Sequence, residues 1–156
     1  MANVTYRITT PAEAAALHGL RRRSILAFAP DAMSIEQARQ WADKGSVESM
    51  AGRLHDTEGW VAETDGQIIG WVAIREDYLD ALYVAPESAR RGIGTQLLQF
   101  AEEALRARGI GALRVEASWN SEAFYIRRGY EPLEPRSPDG ARQMRKRLPS
   151  TPASGR

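Results

Sequence analysis

The 156-residue chain contains no cysteine. This excludes disulfide bridges, thiolate-bound zinc or iron–sulfur clusters, and covalent catalysis through a cysteine nucleophile. Lysine is nearly absent too, with only Lys44 and Lys146. A Walker-type phosphate loop, which ends in Lys-Ser or Lys-Thr, is therefore excluded. Any catalysis by this chain must use oxygen or nitrogen groups.

Long apolar runs are also missing. The stretch over residues 68–74 is far shorter than the roughly 20 residues of a membrane helix. The first residues lack the basic and apolar regions of a signal peptide. The two histidines, His18 and His55, have no second ligand at metal-binding spacing. We therefore expect a cytoplasmic protein with no membrane partner and no metal.

The composition, 43% hydrophobic and 26% charged with a net charge of +1, is that of one ordinary soluble domain. The small net charge conceals an uneven distribution of charge along the chain. Residues 1–87 carry eight basic and 13 acidic side chains, for −5, whereas residues 88–156 carry 13 basic and seven acidic ones, for +6. Solvated surface alone would produce this pattern, and so would two sites of opposite charge. Because no recognition motif accompanies the basic half, we expect no nucleic-acid partner.

Local patterns predict alternating strands and helices. Capping signals at Thr10 and Ser34 open two helices, of which we expect the first to be interrupted by Gly19 and ended by Pro30. A short helix follows, and two more come later in the chain, the longer one on an apolar stripe. Strands are predicted at residues 4–9, 60–63, 67–75, 78–84, 113–119, 130–133 and 142–148. The later helices are predicted at residues 46–54, from Gly92 to a stop at Gly109, and at residues 121–128. This is an α/β (α+β) class, with a single domain over residues 1–148 and a disordered tail over residues 149–156.

We expect the three consecutive arginines and the four tryptophans to have structural roles and not to bind a ligand. Arg21, Arg22 and Arg23 cannot share one helix face, so we expect them to be solvated. The four tryptophans are expected in the core, although one of them, Trp119, borders a segment with chemical potential.

The most informative segment lies at residues 82–98, where a predicted strand turns into a helix. Gly92 and Gly94 stand at the turn. Glycines there allow a ligand to approach the backbone closely, and the first N–H groups of the helix favour an anion. Arg90 and Arg91 add two cations, which suits a phosphate or pyrophosphate. The third glycine of a dinucleotide fingerprint is missing, which argues against a Rossmann-type dinucleotide site. The alternative is a tight turn that binds nothing.

The segment resembles the signature of the GNAT superfamily of N-acetyltransferases, Arg/Gln-x-x-Gly-x-Gly/Ala between the fourth strand and the next helix. Gly92 and Gly94 match its fixed positions, whereas Ala89 replaces the initial Arg or Gln. The resemblance follows the element order over residues 4–148 and is specific over residues 80–130. It implies a GNAT-like fold, a central mixed, mostly antiparallel sheet of six to seven strands flanked by helices. The fourth and fifth strands would be parallel and splayed.

The resemblance also implies acetyl-CoA as cosubstrate, bound mainly by backbone groups. The pantetheine arm would lie along Leu82, Tyr83 and Val84. The pyrophosphate would be held by Arg90, Arg91, Gly92, Ile93, Gly94 and Thr95.

A second patch of resemblance covers residues 118–130. It contains Asn120, then Phe124-Tyr125, then a basic residue followed by Gly-Tyr. The resemblance implies that Asn120 contacts the cofactor and that Tyr125 protonates the departing CoA thiolate, a role that suits a phenol. These two residues are five positions apart, whereas seven is commoner in the family. The alternative for Tyr125 is packing alone.

The attacking amine must be neutral, which calls for a general base on the strands that face the substrate. The resemblance offers two candidates, Asp80 on the fourth strand and Glu116 on the fifth. Strand alternation predicts that Asp80 shares a face with Tyr78, Leu82 and Val84. Either carboxylate could instead face solvent.

We therefore expect acetyl transfer from acetyl-CoA to a primary amine of a small molecule, by direct attack in a ternary complex because no cysteine can hold the acetyl group. Two alternatives stay open: a protein N-terminal or lysine acetyltransferase, and a non-catalytic acyl-CoA-binding regulatory domain. The basic half would serve the anionic cofactor and the acidic half a cationic amine. Homodimer formation is an expectation from the resemblance alone.

Overall fold

The computed structural model describes residues 3–29 and 33–149. The strands are β1 (Thr5–Ile8), β2 (Glu58–Thr64), β3 (Gln67–Arg75), β4 (Tyr78–Val84), β5 (Ala112–Ala117), β6 (Glu131–Pro132) and β7 (Arg142–Arg147). The α-helices are α1 (Ala14–Phe28), α2 (Ile35–Ala42), α3 (Val47–Asp56), α4 (Ile93–Ala107) and α5 (Glu122–Arg127). The predicted element order and fold class are confirmed. Apart from Pro149, the predicted disordered tail lies outside the described residues.

Within the described residues the strands form a seven-stranded sheet in the order β1-β2-β3-β4-β5-β7-β6. Neighbouring strands are antiparallel except β4 and β5, which are parallel. This parallel pair has a single register position, Tyr78 opposite Arg114, next to a bond from the Arg114 N–H to the Asp77 carbonyl of 2.9 Å. Beyond it the two strands separate, as the resemblance implied. The separation opens a cleft in the sheet.

Helices cover both faces of the sheet. Consecutive residues of a strand point to opposite faces, and Gly70 and Trp71 of β3 show which helix lies on each. A Cβ built at Gly70 would lie 2.8 Å from a methyl of Leu97 in α4. The Trp71 ring instead lies under the guanidinium of Arg53 in α3, 5.3 Å from its centroid. Helix α4 therefore packs on one face and α3 on the other.

The helix starts follow the capping signals, but the expected break at Gly19 is wrong. The Ser34 hydroxyl accepts the Gln37 N–H at 3.0 Å, as in a capping box. Helix α1 runs through Gly19 without interruption. A single glycine lowers helix propensity by only about 1 kcal/mol relative to alanine, and burial of Leu17 and Leu20 on either side offsets that loss. The helix ends at Phe28.

Two glycine substitutions should change stability in opposite directions. Gly59→Ala is expected to lower the free energy of unfolding by about 1–3 kcal/mol, because the new Cβ would lie 2.7 Å from the Val72 carbonyl oxygen. Gly19→Ala should raise it by about 0.5–1 kcal/mol, since no atom lies within 4 Å of the added methyl. Urea unfolding at 25 °C measures both. Equal stability of the two variants would contradict the packing of Gly59 against β3.

Candidate active site

A cavity of about 570 Å³ lies where β4 and β5 separate. Four parts of the fold contribute to its wall: α1 and α2, β4, the start of α4, and the segment from β5 into α5. The lining residues include Ser24, Ile25, Phe28, Trp41, Asp80, Leu82, Tyr83, Val84, Gly94, Glu116, Asn120, Phe124 and Tyr125. The cavity thus brings together the predicted pantetheine strand, one of the two motif glycines, both candidate bases and the candidate acid.

The start of α4 forms an anion cradle, which we define as Arg90 to Thr95. Arg90 and Gly92 both have left-handed backbone angles, with φ of 64° and 79°. The first helical bond of α4 runs from the Gln96 N–H to the Gly92 carbonyl at 3.0 Å. The N–H groups of residues 93–95 are consequently free of helical acceptors. Exposed Arg90 and Arg91 add positive charge, so the cradle suits a phosphate.

Gly94 keeps the space between the cradle and α5 narrow but open. A Cβ built there would lie 3.5 Å from the Phe124 ring and 3.6 Å from a Val84 methyl. A side chain larger than a methyl would therefore fill the channel between β4 and α5. Glycine at this position leaves the backbone accessible from the cavity.

Tyr125 is buried in α5 and reaches the cavity wall. Its ring packs edge-on against Phe124 and Tyr130, at centroid distances of 5.2 and 5.4 Å. Burial raises the pKa of the Tyr125 phenol, and the neighbouring Tyr83 and Tyr78 act in the same direction. The group is thus a neutral hydroxyl donor fixed by aromatic packing. The packing interpretation and the proposed chemical role are compatible.

Asp80 does not lie on the face that alternation predicted. The register of β4 against β3 passes from Ala81 to Leu79, which leaves Asp80 in a bulge without a partner residue. The Asp80 carboxylate accepts the Nε–H of Arg53 at 2.6 Å, and the same guanidinium covers Trp71. Asp80 is therefore on the face of Trp71, because a bulge interrupts the two-residue period of a strand. The expected face, with Leu82 and Val84, is wrong.

Arg53 is a site residue that the sequence did not reveal. Its Nη2 also donates to the Asp80 carbonyl at 2.5 Å, so one guanidinium holds both the side chain and the backbone of the bulge. It stands alone in α3 outside both motifs, and 27 positions separate it from Asp80. Only the packing of α3 on the sheet joins them.

Glu116 of β5 is exposed and lies on the wall of the cavity. One carboxylate oxygen accepts the Nε2–H of Gln143 on β7 at 3.1 Å. Burial raises the pKa of the neighbouring Tyr78 phenol, and the negative charge of Glu116 acts secondarily in the same direction. In contrast to Asp80, Glu116 is held by a neutral amide.

Asn120 joins two sides of the cavity. Its amide donates to the carbonyl of Phe28 at the end of α1, and its oxygen accepts the Ser118 hydroxyl at 2.8 Å. The side chain is exposed. Asn120 thus lies beside the cavity, as required of a cofactor contact, with its amide already bonded to α1.

The three consecutive arginines hold the arch formed by α1 and α2 over the cavity. Arg21 is buried, and its guanidinium donates to the carbonyls of Ala42 and Trp41 at 3.0 and 3.1 Å. The expectation that it is solvated is wrong, because its long side chain reaches the open C-terminus of α2. Arg22 pairs with Asp43 at 2.7 Å and Arg23 with Glu87 at 3.4 Å, both half-exposed.

The tryptophans divide between core and surface. Trp71 is fully buried, as expected, whereas Trp119 is 59% exposed. Trp41 is half-buried and lines the cavity, held by the Arg21 bond to its carbonyl. The core expectation is therefore wrong for Trp119.

Comparison with known proteins identifies the family. The model of the acetyltransferase (GNAT) domain matches residues 29–144, and the chain belongs to this family. It is an acetyl-CoA-dependent N-acetyltransferase. An uncharacterised N-acetyltransferase of Escherichia coli, YafP, is 27% identical over 134 residues, 86% of this chain and 85% of that protein.

A shorter match reaches the peptidyl-lysine N-acetyltransferase YiaC of Escherichia coli, with 43% identity over 51 residues. It spans 32% of this chain and about a third of YiaC, 35%. Among solved structures, a GCN5-related N-acetyltransferase from Rhodopseudomonas palustris superposes with a TM-score of 0.86 at 30% identity, covering 95% of this chain and 98% of that one.

PaiA N-acetyltransferase from Thermoplasma acidophilum, solved in complex with coenzyme A, shares the fold with a TM-score of 0.81 at 23% identity, over 93% of this chain and 99% of that one. In residues 3–29 and 33–149, no helix is long and apolar enough to cross a membrane.

Proposed function

We propose that the protein transfers the acetyl group of acetyl-CoA to a primary amine of a small molecule, by direct attack in a ternary complex. One observation carries this proposal. One cavity is lined by Gly94 of the anion cradle, by the buried neutral phenol of Tyr125 and by the carboxylate of Glu116. The same cavity would thus combine a phosphate site, a general acid and a general base.

The cradle fits the pyrophosphate of acetyl-CoA. Free N–H groups at the start of α4 and the charges of Arg90 and Arg91 complement its anionic oxygens. From Leu82 onward, β4 has no register pair with β5 in the described part of the chain. The β5-facing backbone groups of Leu82 to Val84 are therefore open to the amides of pantetheine. Asn120 borders the same space.

The reaction requires two proton transfers. The amine nitrogen forms a bond to the thioester carbonyl carbon, and its proton passes to the Glu116 carboxylate, directly or through one water. The carbon–sulfur bond then breaks, and the Tyr125 hydroxyl donates its proton to the departing sulfur. The products are the acetylated amine and free CoA. The chain has no cysteine that could carry the acetyl group, which supports a reaction with both substrates bound together.

Glu116 is preferred to Asp80 as the base because of their partners. Asp80 is joined to Arg53 through both its side chain and its carbonyl, and the two side chains are only 19% and 27% exposed. We assign Asp80 to holding the bulge of β4. Glu116 has a neutral partner, and its other oxygen accepts no hydrogen bond from the described residues. That oxygen is available for a proton.

The acceptor side of the cavity is apolar and aromatic, with Ile25, Phe28 and Trp41 contributed by the arch. The carboxylates that the acidic half of the chain places near this side of the cavity are neutralised. Asp43, Asp80 and Glu87 are each paired with an arginine. A cationic amine would therefore meet Glu116 as its anionic partner. This arrangement suits an amine attached to a compact apolar group.

A second candidate, a protein lysine acetyltransferase, is favoured by the local similarity to YiaC. Acetyl-CoA turnover against amino acids, polyamines, aminoglycosides and lysine peptides, measured by released thiol, separates the two. Protein thiols cannot interfere, because the chain has none. We expect kcat/KM for the best small amine to exceed that for the peptides at least about tenfold. The reverse order would favour the second candidate, and CoA binding without turnover a regulatory domain.

A further inference from the structure

Arg128, at the end of α5, places its guanidinium beside the first turn of α4. Its Nε–H donates to the Thr95 hydroxyl at 2.8 Å, and Nη2 donates to the same oxygen. Nη1 donates to the Phe124 carbonyl at 2.8 Å, and the guanidinium carbon lies 3.7 Å from the centre of the Phe124 ring. The Phe124 ring in turn lies 3.5 Å from the position that a Cβ built at Gly94 would occupy. The guanidinium is therefore fixed next to the anion cradle.

The charge of Arg128 has no compensating carboxylate. Within residues 3–29 and 33–149, no Asp or Glu oxygen lies within 4.0 Å of it. Burial, and secondarily the charge of Arg127, lower the pKa of Arg128, which shows that its surroundings disfavour the cation. The nearby N-terminus of α4 adds to this, because it is the positive end of a helix dipole. A bound anion would therefore be stabilised at this position.

The hydrogen bonds also leave donors available. A guanidinium carries five N–H groups, and the bonds to Thr95 and Phe124 use three of them. The Thr95 hydroxyl accepts from Arg128, and its own proton has no acceptor among the described residues. Arg128 and Thr95 thus present unused donors next to the free N–H groups of α4.

We propose that Arg128 binds a phosphate group of acetyl-CoA through its side chain, with Thr95 positioned to assist. The inference rests on the proposed function of the cavity, and it adds an anchored guanidinium to the free N–H groups of α4 and the exposed Arg90 and Arg91. The sequence contains Arg128 only as part of the second motif, and nothing there marked it as a ligand. The bound phosphate would also neutralise the positive charge that the fold concentrates at this point.

Arg128→Gln tests the proposal, with CoA affinity measured by calorimetry and turnover measured with acetyl-CoA. We expect CoA binding about 10- to 100-fold weaker, with kcat at saturation changed less than about threefold. Arg128→Lys should restore part of the affinity, because it keeps the charge. Arg127→Gln is the matched control: this neighbouring arginine is exposed, and its removal should leave CoA affinity nearly unchanged.

Acetyl donors that lack phosphate groups distinguish a loss of phosphate binding from a general structural effect of the Arg128 substitution. With S-acetylpantetheine, which has no phosphate, Arg128→Gln and the wild type should have equal kcat/KM. With acetyl-3′-dephospho-CoA, a persisting defect assigns Arg128 to the pyrophosphate, and its disappearance assigns it to the 3′-phosphate. Unchanged CoA affinity, or an equal loss with S-acetylpantetheine, would overturn the inference and leave Arg128 as a structural link between α5 and α4. A wild type that fails to bind CoA would instead refute the proposed function.

Discussion

Replacing Tyr125 with phenylalanine is expected to lower kcat about 10²- to 10⁴-fold, the range for loss of a positioned general acid. KM for acetyl-CoA should stay within about a factor of three. The ring is buried and packed between Phe124 and Tyr130, and phenylalanine preserves both aromatic contacts. Only the phenolic hydroxyl is lost. Steady-state kinetics with the best amine from the acceptor panel measures the effect.

The pH dependence should agree with this role. Because burial raises the pKa of Tyr125 above its ordinary value of 10.0, the phenol stays protonated throughout the usual assay range. Tyr125 should therefore produce no decline in rate below about pH 10. The same shift has a consequence for stability: the unfolded chain ionises first as pH rises through about 10, so the free energy of unfolding should fall there.

Tyr130→Phe is the control for Tyr125. Tyr130 is equally buried, but its hydroxyl donates to Glu102 at 2.7 Å, and it is not part of the cavity wall. Its removal should lower stability by about 1–3 kcal/mol, since a buried carboxylate loses a donor, and leave kcat nearly unchanged. If Tyr125→Phe turned over at the wild-type rate, Tyr125 would have only its packing role.

Glu116→Gln should lower kcat/KM about 10²-fold or more, because an amide cannot accept the amine proton. The substitution keeps the size of the side chain, and Glu116 is exposed, so the free energy of unfolding should change by less than about 0.5 kcal/mol. Binding of CoA should not change. Steady-state kinetics, urea unfolding and calorimetry provide these readouts.

Asp80→Asn distinguishes the two carboxylates. It leaves the Arg53 guanidinium half-buried without its charged partner, so we expect a loss of stability and a smaller loss of kcat than in Glu116→Gln. A larger kcat defect in Asp80→Asn, with stability preserved, would assign the base to Asp80. If both variants kept full activity, the amine proton would leave through another group.

The sequence was most informative where local chemistry decides the structure. The conformation of Gly92, the helix start at Ser34 and the bounds of β3 and β4 depend on residues only a few positions apart. Those local patterns, together with the family signature at Gly92 and Gly94, gave the element order, the cradle and the position of Tyr125. They failed at Gly19, where burial outweighed propensity.

The sequence failed where distant segments meet. The bulge at Asp80 arises from pairing with β3, and its partner Arg53 is 27 residues away. Arg128 reaches Thr95 across 33 positions, and Glu116 meets Gln143 across 27. No periodicity encodes such contacts, because they depend on how helices pack on a completed sheet.

The sequence by itself therefore determined that this protein lacks thiol chemistry and has a glycine turn suited to phosphate at the start of a helix. Both follow from residue identity and local backbone freedom. Tertiary structure alone decided which of the two candidate carboxylates is paired with an arginine, and it placed Arg128 beside the cradle with no Asp or Glu of the described residues within 4.0 Å. Charge pairing depends on distances of a few ångströms between side chains. Folding sets those distances when it packs α3 on the sheet and places α5 beside the separated strands β4 and β5.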